Sequence, residues 1–320
     1  MPASPTPATW VLHDGAAGNR RQALALADAL DLPGGETPLH ASRLARLFAP
    51  HLFPGATHLL GADFAQRLRL PQPQLAIGCG RLAALATRLA RRAGLRAVQI
   101  LDPRLDPAHW DLVIAPEHDG LLGDNVIALV GSLHPVDGEW LAGMRAHFAS
   151  LRDLPGPRSA VLLGGPTRAT RFNRDALEVM LAKLEVQLAR DGGSVVICGS
   201  RRTPSAWAPL LRARYASGGH RVWFDASDGE NPYAGALAWA DRILVSPDSV
   251  NMVSEACATT APVFVAEPGR ATGRVRRFLQ SLEARGRIRA QQREAEDFSV
   301  TPLRETARVA ALVRERLGLD

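Results

Sequence analysis

Short apolar runs alternate with amphipathic helical patterns along almost the whole chain, and this alternation restricts the possible folds more than any other feature. Runs such as Leu75–Gly78 and Ser194–Cys198 are too short for ordinary helices, and each precedes a segment with apolar residues at helical spacing. Such runs predict strands that are covered on both faces and joined through helices, which is the pattern of a parallel sheet. The sequence therefore predicts an α/β protein.

Leu151–Arg158 carries two prolines and a glycine and is the best candidate for a linker. The strand and helix pattern restarts beyond it, and 320 residues are many for a single hydrophobic core. We predict two Rossmann-like domains that face each other across a cleft, over residues 1–152 and residues 159–302. We expect a closing helix over residues 303–320 to pack back on the first domain.

Composition excludes several classes of protein. The net charge of +6 comes almost entirely from arginines that are spread along the chain without a known nucleic-acid motif, so we expect no nucleic-acid partner.

Cys79, Cys198 and Cys257 are far apart and form no CxxC motif, so we expect buried thiols in a reducing compartment and no metal site. No apolar run approaches the roughly 20 residues that span a bilayer, and residues 1–10 lack a targeting pattern. We expect a cytoplasmic protein.

Polar clusters follow most of the predicted strands of the second half, at the end of a strand where open α/β sheets bind ligands. Glycine-rich turns and helix N-termini attract phosphate through backbone N–H groups, and arginine pairs with it through parallel hydrogen bonds. Each cluster alone is also compatible with a tight turn, a solvated loop or a helix cap. Together they predict a nucleotide or phosphorylated ligand that contacts Gly164, Gly165, Pro166, Thr167, Ser200, Arg201, Arg202, Thr203, Asn231, Tyr233, Asp248, Ser249, Asn251, Met252 and Glu255.

The stretch after Pro247 crowds hydrogen-bonding side chains into the start of a helix. Ser249 is expected to cap a helix that begins near Val250, so that its N–H groups receive a diphosphate. Glu255 would then face the cleft and hold the ribose hydroxyls, and its removal would leave the fold intact. The absence of GxGxxG and GxxxxGK[ST] motifs disfavours dehydrogenases and P-loop proteins.

The segment DSVNMVSEACATTAPVF at 248–264 is similar to the donor-site helix of GT-B glycosyltransferases, and most similar to that of the peptidoglycan transferase that uses UDP-GlcNAc. The whole chain resembles the mitochondrial fission Elm-type family, whose plant member recruits a dynamin-like protein. The matching segments are HDGAAGN at 13–19, VQILDPR at 98–104, DLVIAPEHD at 111–119, LLGGPTRATRF at 162–172, SRRTP at 200–204, NPY at 231–233 and SPDSVNMVSEA at 246–256.

The resemblance implies an inverting glycosyltransferase of GT-B architecture that needs no metal or other cofactor. Its donor would be a UDP-linked sugar, and its acceptor a saccharide or lipid-linked precursor of the cell envelope. Asn19 stands where the peptidoglycan enzyme has a histidine, and an amide cannot act as a general base. The other candidates are His13, Asp14, Glu117, His118 and Asp119, of which we favour His118, with Glu117 or Asp119 orienting it. The loops expected on the acceptor side carry Gly15, Gly18, Asn19, Gly78, Gly80 and Asp102.

Two other functions remain open. The chain could be a scaffold or recruitment protein that keeps the fold without catalysis, or a sugar-nucleotide epimerase with the same donor site. A lipid-linked acceptor would favour peripheral contact with the cytoplasmic face of the inner membrane. The residues expected at that contact are Arg270, Arg274, Arg276, Arg277, the Arg285–Arg289 cluster, Leu44, Leu47, Phe48, Leu52 and Phe53.

Overall fold

A computed structural model describes residues 9–32, 34–70, 74–293 and 296–319. The chain divides into two compact units, one formed by Met1–Pro135 with Glu305–Asp320 and the other by Val136–Arg304. Each unit contains a six-stranded parallel sheet with helices packed on it. The predicted α/β class with two Rossmann-like halves is confirmed.

The sheet of the first unit has the strand order β2-β1-β3-β4-β5-β6, with every neighbouring pair parallel. Its strands are β1 Thr9–His13, β2 Gly34–Pro38, β3 Leu75–Cys79, β4 Arg96–Ile100, β5 Leu112–Pro116 and β6 Val126–Leu129. Its helices are α1 Ala17–Ala29, α2 Arg43–Phe48, α3 Ala56–Leu59, α4 Ala62–Arg67, α5 Arg81–Arg92 and the C-terminal α12 Glu305–Leu317. Since α12 contributes Val309 and Val313 to the core of this unit, the chain returns to its first sheet at the end.

The sheet of the second unit has the order β12-β11-β10-β7-β8-β9 and is also parallel throughout. Its strands are β7 Arg158–Leu162, β8 Ser194–Cys198, β9 Arg221–Trp223, β10 Arg242–Val245, β11 Val263–Val265 and β12 Ile288–Ala290. Its helices are α6 Gly138–His147, α7 Arg174–Asp191, α8 Trp207–Arg214, α9 Tyr233–Trp239, α10 Val250–Cys257 and α11 Gly273–Ala284. Counted within this unit, the order is 3-2-1-4-5-6, which is that of a dinucleotide-binding Rossmann sheet.

The division between the units differs from the predicted boundaries. Leu151 and Leu154 of the predicted linker are buried, and the linker belongs to the second unit. Helix α6 packs on α9, where a side chain at Gly235 would lie 2.5 Å from the Phe148 ring. The first unit therefore ends at Pro135 rather than at residue 152, and the second extends to Arg304.

The three thiols are buried, as predicted. Burial raises the pKa of the Cys198 thiol to about 12 and that of Cys257 to about 12, and it raises the pKa of Cys79 well above its usual value. Because the thiolate is the nucleophile, we expect none of them to react with a thiol reagent at pH 8 in the folded protein, and all three to react after unfolding. Counting modified thiols by mass spectrometry tests this; rapid labelling of Cys79, whose sulfur lies 3.8 Å from the Asn19 amide oxygen, would contradict it.

Candidate functional site

The central strands of the second sheet bring together three of the polar loops that the sequence predicts. Strands β10, β7 and β8 are neighbours, and the order of the sheet reverses between β7 and β10. Open α/β sheets bind ligands at this reversal, beyond the carboxyl ends of the strands. The loops that leave these strands here are Gly164–Thr167, Ser200–Thr203 and Ser246–Ser249.

Asp248 joins these loops. Its side chain is fully buried and accepts hydrogen bonds from the Ser246 hydroxyl at 2.7 Å and from the Gly165 N–H at 3.1 Å. The Arg202 guanidinium donates to the same carboxylate at 2.7 Å, and its own side chain is half exposed. A buried carboxylate is stable only when it is paired and hydrogen-bonded, and here each loop supplies one partner.

Thr203 makes a second connection between the loops. Its hydroxyl lies 2.8 Å from the Leu163 carbonyl and 2.7 Å from the Gly164 carbonyl, and it accepts from the Ser200 N–H at 2.8 Å. The Ser200 hydroxyl lies 3.1 Å from it. Thr203 therefore holds the loop after β8 against the loop after β7.

The two glycines after β7 are required by close packing. A side chain at Gly164 would lie 2.1 Å from the Asp248 carboxylate, and one at Gly165 would lie 2.1 Å from the Arg202 carbonyl. The prediction assigned the N–H groups of these glycines to an anion. Here the Gly164 N–H donates to Ser246 at 2.7 Å and the Gly165 N–H to Asp248, so both serve the loop network. Pro166 is exposed and Thr167 half-buried just beyond them.

The predicted start of helix α10 is confirmed. Ser249 precedes the helix, and its hydroxyl accepts a hydrogen bond from the Met252 N–H at 3.4 Å. The N–H groups of Val250 and Asn251 belong to the first turn and have no acceptor within the helix. Asn251 and Met252 are half-buried, while Arg201 is exposed in the loop after β8. This end of α10 thus carries the positive end of the helix dipole, and Arg202 is paired with Asp248 just before it.

Glu255 lies in the same helix, and its burial bears on the expectation that its removal would leave the fold intact. It is only 4% exposed, and the Tyr233 hydroxyl donates to its carboxylate at 2.5 Å. Asn231 uses its amide oxygen to accept from the Tyr233 N–H at 3.0 Å, which starts α9. Tyr233 and Glu255 are therefore brought together, while the Asn231 side chain serves the turn. Truncating Glu255 would remove a buried hydrogen bond as well as any contact with a ligand.

Arg287 supports the opposite end of α10, a role that sequence reasoning missed. It was predicted to belong to an exposed membrane-facing cluster, but it is 4% exposed. Its guanidinium donates to the carbonyls of Cys257 and Thr259 at 2.8 and 2.9 Å and to those of Ala256 and Ala261 at 3.2 Å. These carbonyls lie at the C-terminal end of α10 and just beyond it, so a buried cation stabilises the negative end of the helix.

In the first unit, Asp14 and Asn19 lie at the order reversal between β1 and β3. The Asn19 amide nitrogen donates to both Asp14 oxygens at 3.2 Å, and the Ala16 N–H donates to Asp14 at 3.0 Å. The Cys79 thiol lies 3.8 Å from the Asn19 oxygen. A side chain at Gly80 would lie 2.5 Å from the Asn19 nitrogen, so this glycine makes room for the amide.

Sequence reasoning named His13 of the first unit but missed its partners Glu36 and Arg20. His13 is buried, accepts the Gly15 N–H at Nδ1 and lies 2.7 Å from Glu36 through Nε2, which assigns the proton to Nε2. Arg20 holds Glu36 through two hydrogen bonds of 2.5 and 2.8 Å. The Arg20 guanidinium, and then the His13 ring, hold the pKa of the Glu36 carboxyl below its usual value. His13 is thus engaged at both nitrogens and is a poor candidate for a base.

The remaining predicted residues of the first unit are spread along its sheet. Glu117, His118 and Asp119 form a 3-10 turn directly after β5, with His118 half-buried. Strand β5 lies three positions from β1, or roughly 14 Å, so the structure does not join these residues to Asp14 in one cluster. Two predicted residues serve local structure. Asp102 pairs with Arg104 at 2.8 Å, and a side chain at Gly78 would lie 2.6 Å from Thr87 of α5. Gly15 has a positive φ of 80°, and Gly18 lies in the first turn of α1.

The predicted membrane face is divided between the two units. Leu44, Leu47 and Phe48 are exposed in the first unit, whereas Leu52 and Phe53 are half-buried against its core. Arg274, Arg276 and Arg277 are exposed in the second unit. None of the described helices combines the length and apolar content needed to cross a membrane. Within the described ranges, no group of three or more His, Cys, Asp or Glu side chains is arranged to hold a metal ion.

Solved structures with the same architecture define the class of fold as GT-B. A UDP-GlcNAc 2-epimerase from Methanocaldococcus jannaschii superposes with a TM-score of 0.59 and 13% identity, over 98% of this chain and 99% of that chain. A spinosyn forosaminyltransferase superposes with a TM-score of 0.50 and 16% identity, over 98% of this chain and 95% of that chain. At these identities the likeness establishes the fold alone.

The chain belongs to the Mitochondrial fission ELM1 family, whose model matches residues 17–317. It is 30% identical over 279 residues to the mitochondrial fission protein ELM1 of Arabidopsis thaliana. That alignment covers 77% of this chain and 64% of the plant protein, so the chain spans less than two thirds of that relative. The resemblance to the mitochondrial fission Elm-type family, which the sequence motifs indicated, is confirmed.

Proposed function

We propose that the chain is a glycosyltransferase whose nucleotide-sugar donor, UDP-linked, binds at the carboxyl edge of the second sheet. One observation carries the proposal: Asp248 and Thr203 join three loops at the point where the strand order reverses. This network leaves the N-terminus of α10 and the guanidinium groups of Arg201 and Arg202 on the edge where α/β sheets bind ligands. The GT-B fold supports a transferase of this type.

Each group at this edge has a proposed role. The diphosphate is held by the N–H groups at the start of α10 and by Arg201 and Arg202, because helix N-termini and guanidinium groups both favour phosphate. The ribose hydroxyls are held by Glu255. The Tyr233 hydroxyl donates to this carboxylate at 2.5 Å and holds it in position.

The reaction follows from these roles. An acceptor oxygen forms a bond to the anomeric carbon as the bond from that carbon to the diphosphate oxygen breaks, which inverts the configuration. The acceptor proton passes to a base, and the charge that develops on the leaving diphosphate is stabilised by the α10 dipole and the arginines. No metal ion or other cofactor is required in this scheme.

We assign acceptor activation to the first unit, with His118 as the base and Glu117 orienting it, and with Asp14 as the alternative base. The proposed acceptor is a saccharide or lipid-linked envelope precursor at the cytoplasmic face of the membrane. Replacing a general base lowers a rate by roughly 10²–10⁴-fold. We therefore expect His118→Gln to slow sugar transfer by this factor while donor affinity stays unchanged.

The assay supplies nucleotide sugars with extracted envelope lipids and measures nucleotide release and the sugar product. His58→Gln, an exposed histidine of the same unit, is the matched control. Nucleotide release that depends on the acceptor supports transfer. Conversion of the donor to an isomeric sugar nucleotide without release would make the protein an epimerase. Full activity in His118→Gln would reject His118 as the base.

A second candidate is a scaffold that has kept the fold without catalysis. One observation favours it: the Asn19 amide is engaged by Asp14 and Cys79 and cannot act as a base. A scaffold predicts that no nucleotide sugar binds or is turned over. It also predicts that His118→Gln and Glu117→Gln leave the cellular phenotype intact, while substitutions of exposed residues abolish it.

A further inference from the structure

A basic pocket lies at the amino edge of the first sheet, opposite to the edge that carries Asp14 and Glu117. It has a volume of about 300 Å³ and is lined by Leu52, Arg88, Arg91, Arg92 and His109. Helix α5 returns from the carboxyl end of β3 to the amino end of β4, so the arginines of its last turns lie at this edge. His109 lies three residues before the start of β5 and therefore at the same edge.

The pocket carries more positive charge than the nearby carboxylates neutralise. Arg91 pairs with Asp111 at 3.2 Å. In the parts of the chain that the structure describes, no carboxylate lies within ion-pairing distance of Arg88, Arg92 or His109. Three guanidinium charges against one carboxylate leave an excess of two positive charges. Burial, and then the nearby charge of Arg92, lower the pKa of the Arg88 guanidinium. The positive charge of Arg88 is therefore less favourable in this pocket than in water.

Two of the arginines are held in position before any ligand arrives. Arg88 donates to the Pro50 carbonyl at 2.9 Å, and its guanidinium carbon lies 5.8 Å from the centre of the Trp110 ring. Arg91 donates to the Ala108 carbonyl at 2.7 Å. Ordering a long side chain on binding costs free energy, so a site with fixed guanidinium groups loses less than a flexible one.

Stabilisation of the helix end explains only part of the cluster. Arg91 and Arg92 lie in the last turn of α5, where cations interact favourably with the helix dipole. That effect does not require Arg88 to be half-buried near a like charge, nor His109 to lie on another segment of the same pocket. An anion in the pocket would interact favourably with the three arginines and with His109 at once.

We propose that this pocket binds a phosphate monoester group. Guanidinium groups match phosphate oxygens through parallel hydrogen bonds, and an excess of two positive charges suits a dianion. Leu52 supplies an apolar wall for the group that carries the phosphate, and the preceding helix α2 exposes Leu44 and Leu47. Either a soluble phosphorylated compound or the headgroup of an anionic lipid supplies this chemistry. The site is independent of the donor site proposed for the second unit.

The test measures phosphate binding to the full chain by calorimetry at constant ionic strength, and sedimentation with phosphatidylcholine vesicles with and without phosphatidic acid. The variant is Arg92→Glu, since Arg92 is exposed and its loss leaves the packing of Arg88 intact. Arg69→Glu, an exposed arginine of the same unit outside the pocket, changes the net charge equally. We expect Arg92→Glu to weaken binding by about tenfold or more, and Arg69→Glu to have little effect.

Each outcome has a meaning. Saturable binding of inorganic phosphate that depends on Arg92 supports the site with a soluble ligand. Binding only to vesicles that contain phosphatidic acid, again dependent on Arg92, supports the site with a lipid headgroup. Equal behaviour of Arg92→Glu and Arg69→Glu, or no binding in either assay, overturns the proposal. Phosphate binding that is lost in Arg201→Gln but not in Arg92→Glu belongs to the second unit and also overturns it.

Discussion

Arg287→Met is expected to destabilise the second unit by roughly 3–5 kcal/mol, because four buried carbonyls lose a charged donor and each buried group left without one costs about 1–3 kcal/mol. Methionine fills much of the space of the arginine stem but donates no hydrogen bond. The carbonyls of Ala256, Cys257, Thr259 and Ala261 would lose a shared donor at the end of α10. Urea unfolding followed by circular dichroism measures the effect.

The control for this prediction is Arg285→Met. Arg285 lies two residues earlier on the same segment and is exposed, so its replacement removes the same charge without touching the buried carbonyls. We expect a change within about 0.5 kcal/mol for such a surface substitution. If both variants unfold at the same urea concentration, Arg287 does not stabilise the end of α10.

Asp248→Ala is expected to have the second-largest effect on stability, because it removes the acceptor that joins three loops. The Gly165 N–H and the Ser246 hydroxyl would lose a charged acceptor in a buried setting, and Arg202 would lose its ion partner. We expect a loss of roughly 2–4 kcal/mol in unfolding free energy. If the donor binds here, the displaced loops should also weaken its binding by at least about tenfold.

Asp153→Ala removes a carboxylate from the same unit at an exposed position and should change neither quantity. Because destabilisation alone could weaken binding, the titration is done at a temperature where both variants remain folded. Wild-type stability in Asp248→Ala would show that the carboxylate is dispensable. Lower stability with unchanged donor affinity would separate the loop network from the binding site.

Most strands could be predicted because parallel strands are covered on both faces and read as continuous apolar runs. The run Ser194–Cys198 matches β8 at both ends. Two edge strands were missed for a physical reason. Strand β2 has the sequence GGETP, whose glycines and proline are typical of a turn, and β12 alternates with arginine. Pairing with a neighbouring strand, rather than local propensity, determines both.

The location of the candidate site was predictable, but its internal contacts were not. Ser249 could be recognised as a cap because capping depends on residues close in sequence. The pairing of Asp248 with Arg202 joins residues 46 positions apart, and that of Tyr233 with Glu255 joins residues 22 apart. Such pairs depend on how the loops pack. The same holds for Arg287, which the sequence presents as one of several similar surface arginines.

In the first unit, sequence reasoning missed side-chain contacts for a different reason. Glu36 lies in the unrecognised strand β2, so its contact with His13 could not be anticipated. Asp14 and His118 are alternative candidates for the base because both follow predicted strands. The sequence does not reveal the order of the strands, and two strands separate β1 from β5.

The most direct test of a donor site in the second unit is a calorimetric titration of the wild-type chain with UDP, GDP, CMP and ADP sugars, repeated with Arg201→Gln. Arg221→Gln is the matched control, because Arg221 is exposed at the amino end of β9, away from the proposed site. We expect saturable binding of the UDP sugar that weakens by about tenfold or more in Arg201→Gln and stays unchanged in Arg221→Gln. No binding of any nucleotide sugar, or equal binding in all three proteins, would contradict a donor site at this edge.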